Sequence, residues 1–232
     1  MALRFVPWFP SLIFSLLGVA CGSDEQETNN AQAGAGGGAG SKPTFFVSSD
    51  TSATADLGGL TGADARCQDL AISAGFAAHS FHAYLSAEQD PEDPSKPVNA
   101  RERIGTGPWY NAKGVLLARD LTALHALNGD AELFLDENGE KINGQWPGSP
   151  TPIEHDVLTG STAEGMLLVG KTCADWTSAD SGTAQVGHSD GLGPGMSAEP
   201  PYNSWNSAHE NGGCGDTAPR GGAGRLYCFA ID

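Results

Sequence analysis

Positive charge is what this chain has least of. Its 232 residues carry 12 Lys and Arg against 28 Asp and Glu, a formal charge of −16, and only 17% of residues are charged. Nucleic acid and anionic membrane surfaces both call for a basic face, so both are excluded as general partners. No Gly-x-Ser-x-Gly, His-Glu-x-x-His or phosphate-binding Gly-rich loop is present, which leaves no recognisable nucleophile or nucleotide site. There is no Cys-x-x-Cys, so the cysteines have no structural zinc spacing. Beyond residue 20 no apolar run approaches the length of a membrane span.

Glycine is abundant (32), proline numbers 14, and cysteine numbers five. The cysteines divide one and four. Cys21 stands at the end of an apolar leader; Cys67, Cys173, Cys214 and Cys228 lie in the remainder. Residues 1–20 contain Arg4, no acid, and an apolar stretch from Leu12 to Val19, the pattern of a secretion signal. The ending Leu17-Gly18-Val19-Ala20-Cys21 resembles a bacterial lipobox, with Gly18 where that motif prefers leucine. It implies cleavage before Cys21 and lipidation of Cys21, hence an exported protein anchored to the cell envelope. Gly22 fits sorting to the outer membrane. Residues 21–43 are polar and then Gly/Ala-rich, a flexible tether with a reach of about 25 Å. Residues 44–232 form the folded domain.

Within it, Thr44 to Ser49 reads as a first strand. Gly58 to Gly75 holds the best helix, with Thr61 as N-cap, Asp64 completing a capping box, and Gly75 as the left-handed stop. Ala63, Cys67, Leu70, Ala71 and Ala74 share its inward face. Phe81 to Ser86 alternates as a strand, and Val115 to Leu117 reads as another. Asp120 caps a short helix, and Phe134 to Ile142 reads as strand, Asn-Gly turn, strand. After residue 143 the chain is loop-rich, with apolar islands at Val157-Leu158, Met166 to Val169 and Leu226 to Phe229. The expected class is α+β: a loop-rich mixed sheet with one main helix, stapled by disulfides. Spacing leaves all three cysteine pairings open.

Gly62-Ala63-Asp64 followed by Cys67, the segment Phe81 to Ser86, Val157-Leu158-Thr159-Gly160-Ser161, Thr172-Cys173-Ala174-Asp175-Trp176-Thr177 and the terminal Leu226-Tyr227-Cys228-Phe229 resemble the endostatin-like branch of the C-type lectin fold. Arg103 to Ala112, His155 to Ser161, Val186 to Gly191 and Ser204 to His209 are more closely similar to bacterial surface lipoproteins with an endostatin-related domain, best known from spirochaetes. The resemblance spans about 44–232. It implies the nested pairing, Cys67 with Cys228 and Cys173 with Cys214. It also implies a monomeric, non-enzymatic, adhesin-like domain that binds an extracellular protein or glycan, since related spirochaetal proteins bind host matrix and complement proteins. Endostatin holds zinc near its N-terminus through histidines. Lys42 to Ser49 has none, so that site does not carry over.

The candidate ligand-binding residues are Trp176, His188, Asp190, Trp205, Asn206 and His209. C-type lectins hold calcium with Glu-Pro-Asn and Trp-Asn-Asp triplets. Here Glu199-Pro200-Pro201 and Trp205-Asn206-Ser207 are incomplete versions of each, so no cofactor is required, with calcium the ion considered. Asp136-Glu137-Asn138-Gly139-Glu140 faintly resembles an oxygen-ligand loop but reads first as a turn. Histidines also sit beside acids: His155-Asp156, His188 with Asp190, and His209-Glu210. Imidazole and carboxylate together bind zinc or move protons. Two further readings follow, a calcium-dependent lectin and a metal-dependent hydrolase. Convergence of His155, His188 and His209 would favour the latter.

Overall fold

The computed structural model describes residues 42–232. The leader, Cys21 and nearly all of the tether lie outside the described residues. Elements are β1 (Phe45–Val47), α1 (Gly59–Ser73), β2 (Phe81–Ala83), β3 (Trp109–Tyr110), β4 (Leu116–Ala118), α2 (Leu121–His125), β5 (Asp156–Leu158), α3 (Cys173–Trp176), β6 (Gln185–His188), β7 (His209–Glu210) and β8 (Gly222–Ala230).

The last strand is the centre of the sheet. β8 pairs antiparallel with β1 (Phe46↔Cys228) and with β2 (Ala83↔Cys228), and parallel with β5 (Leu158↔Leu226). From β5 the sheet continues antiparallel to β6 and β7, giving the order β1-β8-β5-β6-β7 with β2 also on β8. β3 and β4 form a separate two-stranded ribbon. Seven of the nine residues of β8 are buried without a break from Gly224 to Ala230, as expected of a strand covered on both faces.

Two apolar clusters flank the sheet. One gathers Leu60, Ala63, Cys67 and Ala71 of α1 with Phe46, Phe81, Leu158, Val186, Leu226 and Trp176. The other holds Phe45, Tyr84, Trp109, Phe134, Val157, Trp205, Tyr227 and Phe229. The disulfides are Cys67–Cys228, tying α1 to β8, and Cys173–Cys214, stapling the loop region.

The main helix begins earlier than its capping box suggests. Gly58 (φ 75) and Gly59 (φ 73) turn the chain in the left-handed region, and no side chain caps the N-terminus. Asp64 is instead spent on the Ala83 N–H (2.8 Å) and the Arg103 guanidinium (2.6 Å), locking α1 to β2. Leu70 and Ala74 are half-buried, and Gly75 (φ 86) ends the helix as expected. Asp120 caps α2 by accepting from the Ala123 N–H at 2.8 Å. The 134–142 segment makes its turn, but only Leu135 and Lys141 bridge. The Asp136 carboxylate is consumed inside it by the Asn138 and Glu140 N–H groups. α3 is one left-handed turn: φ is 50, 52, 56 and 66 from Cys173 to Trp176, each residue costing roughly 1–2 kcal/mol over right-handed backbone.

Candidate metal centre

The site forms where β5, β6 and β7 lie side by side. Asp156 opens β5 and is paired directly with His188, the last residue of β6. His209 opens β7 opposite Val186, two residues back along β6, so period-2 alternation puts its side chain on the face shared by His188 and Asp156. His155 immediately precedes β5, and its ring stacks on that of His188 with centroids 4.3 Å apart. His188 meets His209 edge-on at 4.8 Å.

Three imidazole Nε2 atoms thus face one carboxylate. From Asp156 Oδ1 the distances are 3.4 Å to His155 and 3.3 Å to His188; from Oδ2 it is 3.6 Å to His209. The Asp156 side chain is wholly buried, and His209 is the most exposed of the group at 24%. One donor atom from each of His155, Asp156 and His188 lies within 4.8 Å of the others.

The hydrogen bonds define which nitrogen faces inward. His155 Nδ1 lies 2.7 Å from Asp190 Oδ1; a carboxylate accepts, so Nδ1 carries a proton, and in the neutral ring Nε2 then presents a lone pair. His209 Nδ1 likewise donates to the Glu210 carbonyl at 2.8 Å. Metal-ligating histidines are characteristically held this way, their outer N–H on a carboxylate or backbone carbonyl. Neither oxygen of Asp156 and neither ring nitrogen of His188 has a hydrogen-bond partner among the described residues. A buried carboxylate facing lone pairs is unfavourable unless a metal ion, or the second proton of an imidazolium, lies between them. Tetrahedral zinc bonds of about 2.0–2.1 Å place neighbouring donor atoms about 3.3–3.4 Å apart, close to the separations here. The group that closes is His155, Asp156 and His188, with His209 beside it on the other carboxylate oxygen; a nitrogen-rich set of this kind suits zinc or a similar transition-metal dication, whereas calcium takes oxygen ligands.

Asp190 is fixed from all sides. Burial works against its charge, but hydrogen bonds from His155 and from the Gln145 and Leu192 N–H groups (2.6 and 3.0 Å) outweigh it and hold its pKa below the ordinary carboxylate value. Gly144 permits that clamp, because a Cβ there would come within 2.2 Å of Asp190 Oδ2. Gly187 has a similar role: a Cβ would meet the Trp205 carbonyl at 1.8 Å. Its absence lets the 202–206 segment lie on β6, with His188 N–H donating to Ser204 O. Tyr202 is thereby laid parallel to His188, 5.9 Å between centroids and 10° between planes. Gln145, His155, His188, Pro194, Tyr202, His209 and Arg220 line the cleft outside, about 360 Å³ in volume.

Of the residues singled out from sequence, the fold brings His188, Asp190 and His209 of the candidate ligand-binding set together with His155 and Asp156 of the histidine–acid pairs. It puts Trp176, Trp205 and Asn206 elsewhere, so a ligand-contact role for these three is corrected. Trp176 is fully buried, its indole N–H on Ser86 O at 2.8 Å. Trp205 is fully buried, its N–H on Leu124 O. Asn206 turns inward, its amide donating to Tyr84 Oη and to the Thr162 and Ala163 carbonyls. The incomplete calcium triplet at 205–207 is therefore core architecture. Tyr202, Arg220 and Gln145 carried no sequence signal; the usable one was a histidine and an acid at the mouth of an apolar strand. No protein-family model matches the chain, and no curated protein sequence matches it.

Proposed function

We propose that this is an envelope-tethered binding domain, endostatin-like in the C-type lectin sense, that takes its ligand through a zinc-class ion held by His155, Asp156, His188 and His209. One observation carries the reading: a fully buried carboxylate with no donor among the described residues, ringed by three imidazoles, two of which are held by outer hydrogen bonds with Nε2 turned toward it. The resemblance in sequence, the helix-to-last-strand disulfide and the lipobox-like leader support its placement in a surface lipoprotein. The nitrogen-rich donor set favours this over a calcium-dependent lectin.

Convergence of the three histidines also favours metal-dependent hydrolysis over a metal-free adhesin. Ligand capture fits the cleft better. Beyond the four donor residues its walls are Gln145, Pro194, Tyr202 and Arg220. None is a carboxylate or imidazole placed to take a proton from a metal-bound water. The test is calorimetric titration of the chelator-stripped full chain with zinc and with calcium. One zinc per chain, no calcium, and loss of zinc binding in Asp156→Ala and His188→Ala are expected. Unchanged zinc binding in both variants would place the metal elsewhere and end the reading.

A further inference from the structure

The geometry points to a carboxylate as the group this cleft captures, one oxygen on the metal and the other on the Arg220 guanidinium. The inference rests on the metal-binding reading above and names the ligand class for the same site.

The charge distribution is its first support. The chain is strongly acidic, yet among the described residues no acid lines the cleft. Asp156 is sealed beneath the histidines, and Asp190 is spent on His155, Gln145 and Leu192. Apart from the histidines, Arg220 is the charged side chain of the lining. With a dication at the floor, the cleft presents positive charge at two depths inside an anionic protein, and that focuses an anion inward.

Arg220 is also positioned. Its backbone sits at φ 70, and Nη1 donates to Glu210 O (3.1 Å), the same carbonyl that fixes the His209 ring. The backbone then crosses His155 so closely that a Cβ on Gly221 would lie 3.2 Å from the ring. One segment therefore carries the guanidinium past two metal-facing histidines. The remaining guanidinium N–H groups match the planar two-oxygen edge of a carboxylate.

The alternatives fit less well. A sugar needs several acceptors for its hydroxyls, and the walls offer only the Gln145 amide and the Tyr202 phenol. A phosphate monoester carries up to two charges and three terminal oxygens, and a single guanidinium meets one edge of it. Tyr202, flat against His188, provides an apolar wall for whatever carries the carboxylate.

The test uses the full chain loaded with cobalt(II), whose visible d–d bands report exchange at the metal. Probes are N-acetylglycinate, N-acetyltetraglycine, the C-terminal amides of both, and inorganic phosphate. Both carboxylates should shift the bands and saturate, while their amides do not. Tighter binding of the longer probe would identify a peptide terminus as the source; equal binding, a small organic acid. Arg220→Gln should keep its cobalt affinity and spectrum but bind N-acetylglycinate about ten- to a hundredfold more weakly. Amides acting like acids, phosphate binding more tightly than either acid, or an unaffected Arg220→Gln would overturn the proposal while leaving the metal site standing. Failure to take up cobalt on nitrogen ligands would instead remove the metal reading, and this inference with it.

Discussion

Asp156→Asn separates a metal ligand from a simple core residue by the sign of its effect. The Asp156 carboxylate is wholly buried, has no donor among the described residues, and faces Nε2 of His155 and of His209, which in the neutral, metal-free rings offer lone pairs. An unsatisfied buried polar group costs about 1–3 kcal/mol, more when charged. Asparagine removes the charge and supplies an N–H₂ that can donate toward His188 or His155. The stripped variant should therefore melt higher than stripped wild type. At about 2–4 °C per kcal/mol for a domain of this size, the rise is about 2–12 °C. Zinc should reverse the order. At a hundred times its Kd, a ligand that binds only the folded state adds about 2.7 kcal/mol, or about 5–11 °C, to wild type. The variant, lacking the anionic ligand, should gain little. Differential scanning calorimetry of both proteins, with chelator and with zinc, reads all four melting temperatures. If stripped Asp156→Asn melts below stripped wild type, the carboxylate already has a partner without metal and the reasoning fails. It fails equally if zinc raises both proteins by the same amount.

Three further outcomes are expected. Gly187→Ala forces a Cβ into the Trp205 carbonyl, so the 202–206 segment must move off β6; zinc affinity should fall and Tyr202 fluorescence or hydrogen exchange in that segment should change, and a wild-type zinc isotherm would contradict this. Replacing Cys67 and Cys228 together by alanine should destabilise by up to about 5 kcal/mol in the chain-entropy estimate, against about 4 for Cys173 with Cys214; urea unfolding should rank them in that order, and the reverse order would show that the loop staple matters more than the helix tie. His125, half-buried with Nε2 on Tyr84 Oη (2.8 Å) and Nδ1 on Leu121 O, has its pKa lowered, chiefly by burial. The unfolded chain then binds more protons in the window below about 6.5, so this group's contribution is complete above that pH and is lost as pH falls through the folded-state value. Melting temperature from pH 8 to pH 5 should fall less steeply in His125→Gln, and an identical slope would show that His125 plays no part.

Local chemistry made much of the scaffold legible. The α1 face marked by Ala63, Cys67 and Ala71 is buried, Gly75 stops the helix in the left-handed region, and Asp120 caps α2. These features depend on neighbours within a turn or two, so the order of residues suffices. Where two partners compete for one side chain, sequence proximity misled. Asp64 sits three residues after Thr61 in a capping-box spacing, yet a long-range guanidinium and the β2 backbone take it. Trp205-Asn206 carries a binding-motif pattern, yet an indole and an amide with partners at Leu124, Tyr84 and Thr162 gain more from burial.

By itself, then, the sequence determined an acidic, glycine-rich, cysteine-stapled α+β domain in which histidines stand next to acids. It could not say that three of those histidines meet. His155, His188 and His209 are brought together because β5 pairs with β6 and β6 with β7, in a register that sets Asp156 opposite His188 and His209 two residues along the same face. A one-residue slip at either pairing would send a ligand to the opposite face. That register is set by packing of Val157, Leu158 and Val186 against the core and by the missing side chain of Gly187, long-range contacts that only the tertiary structure supplies.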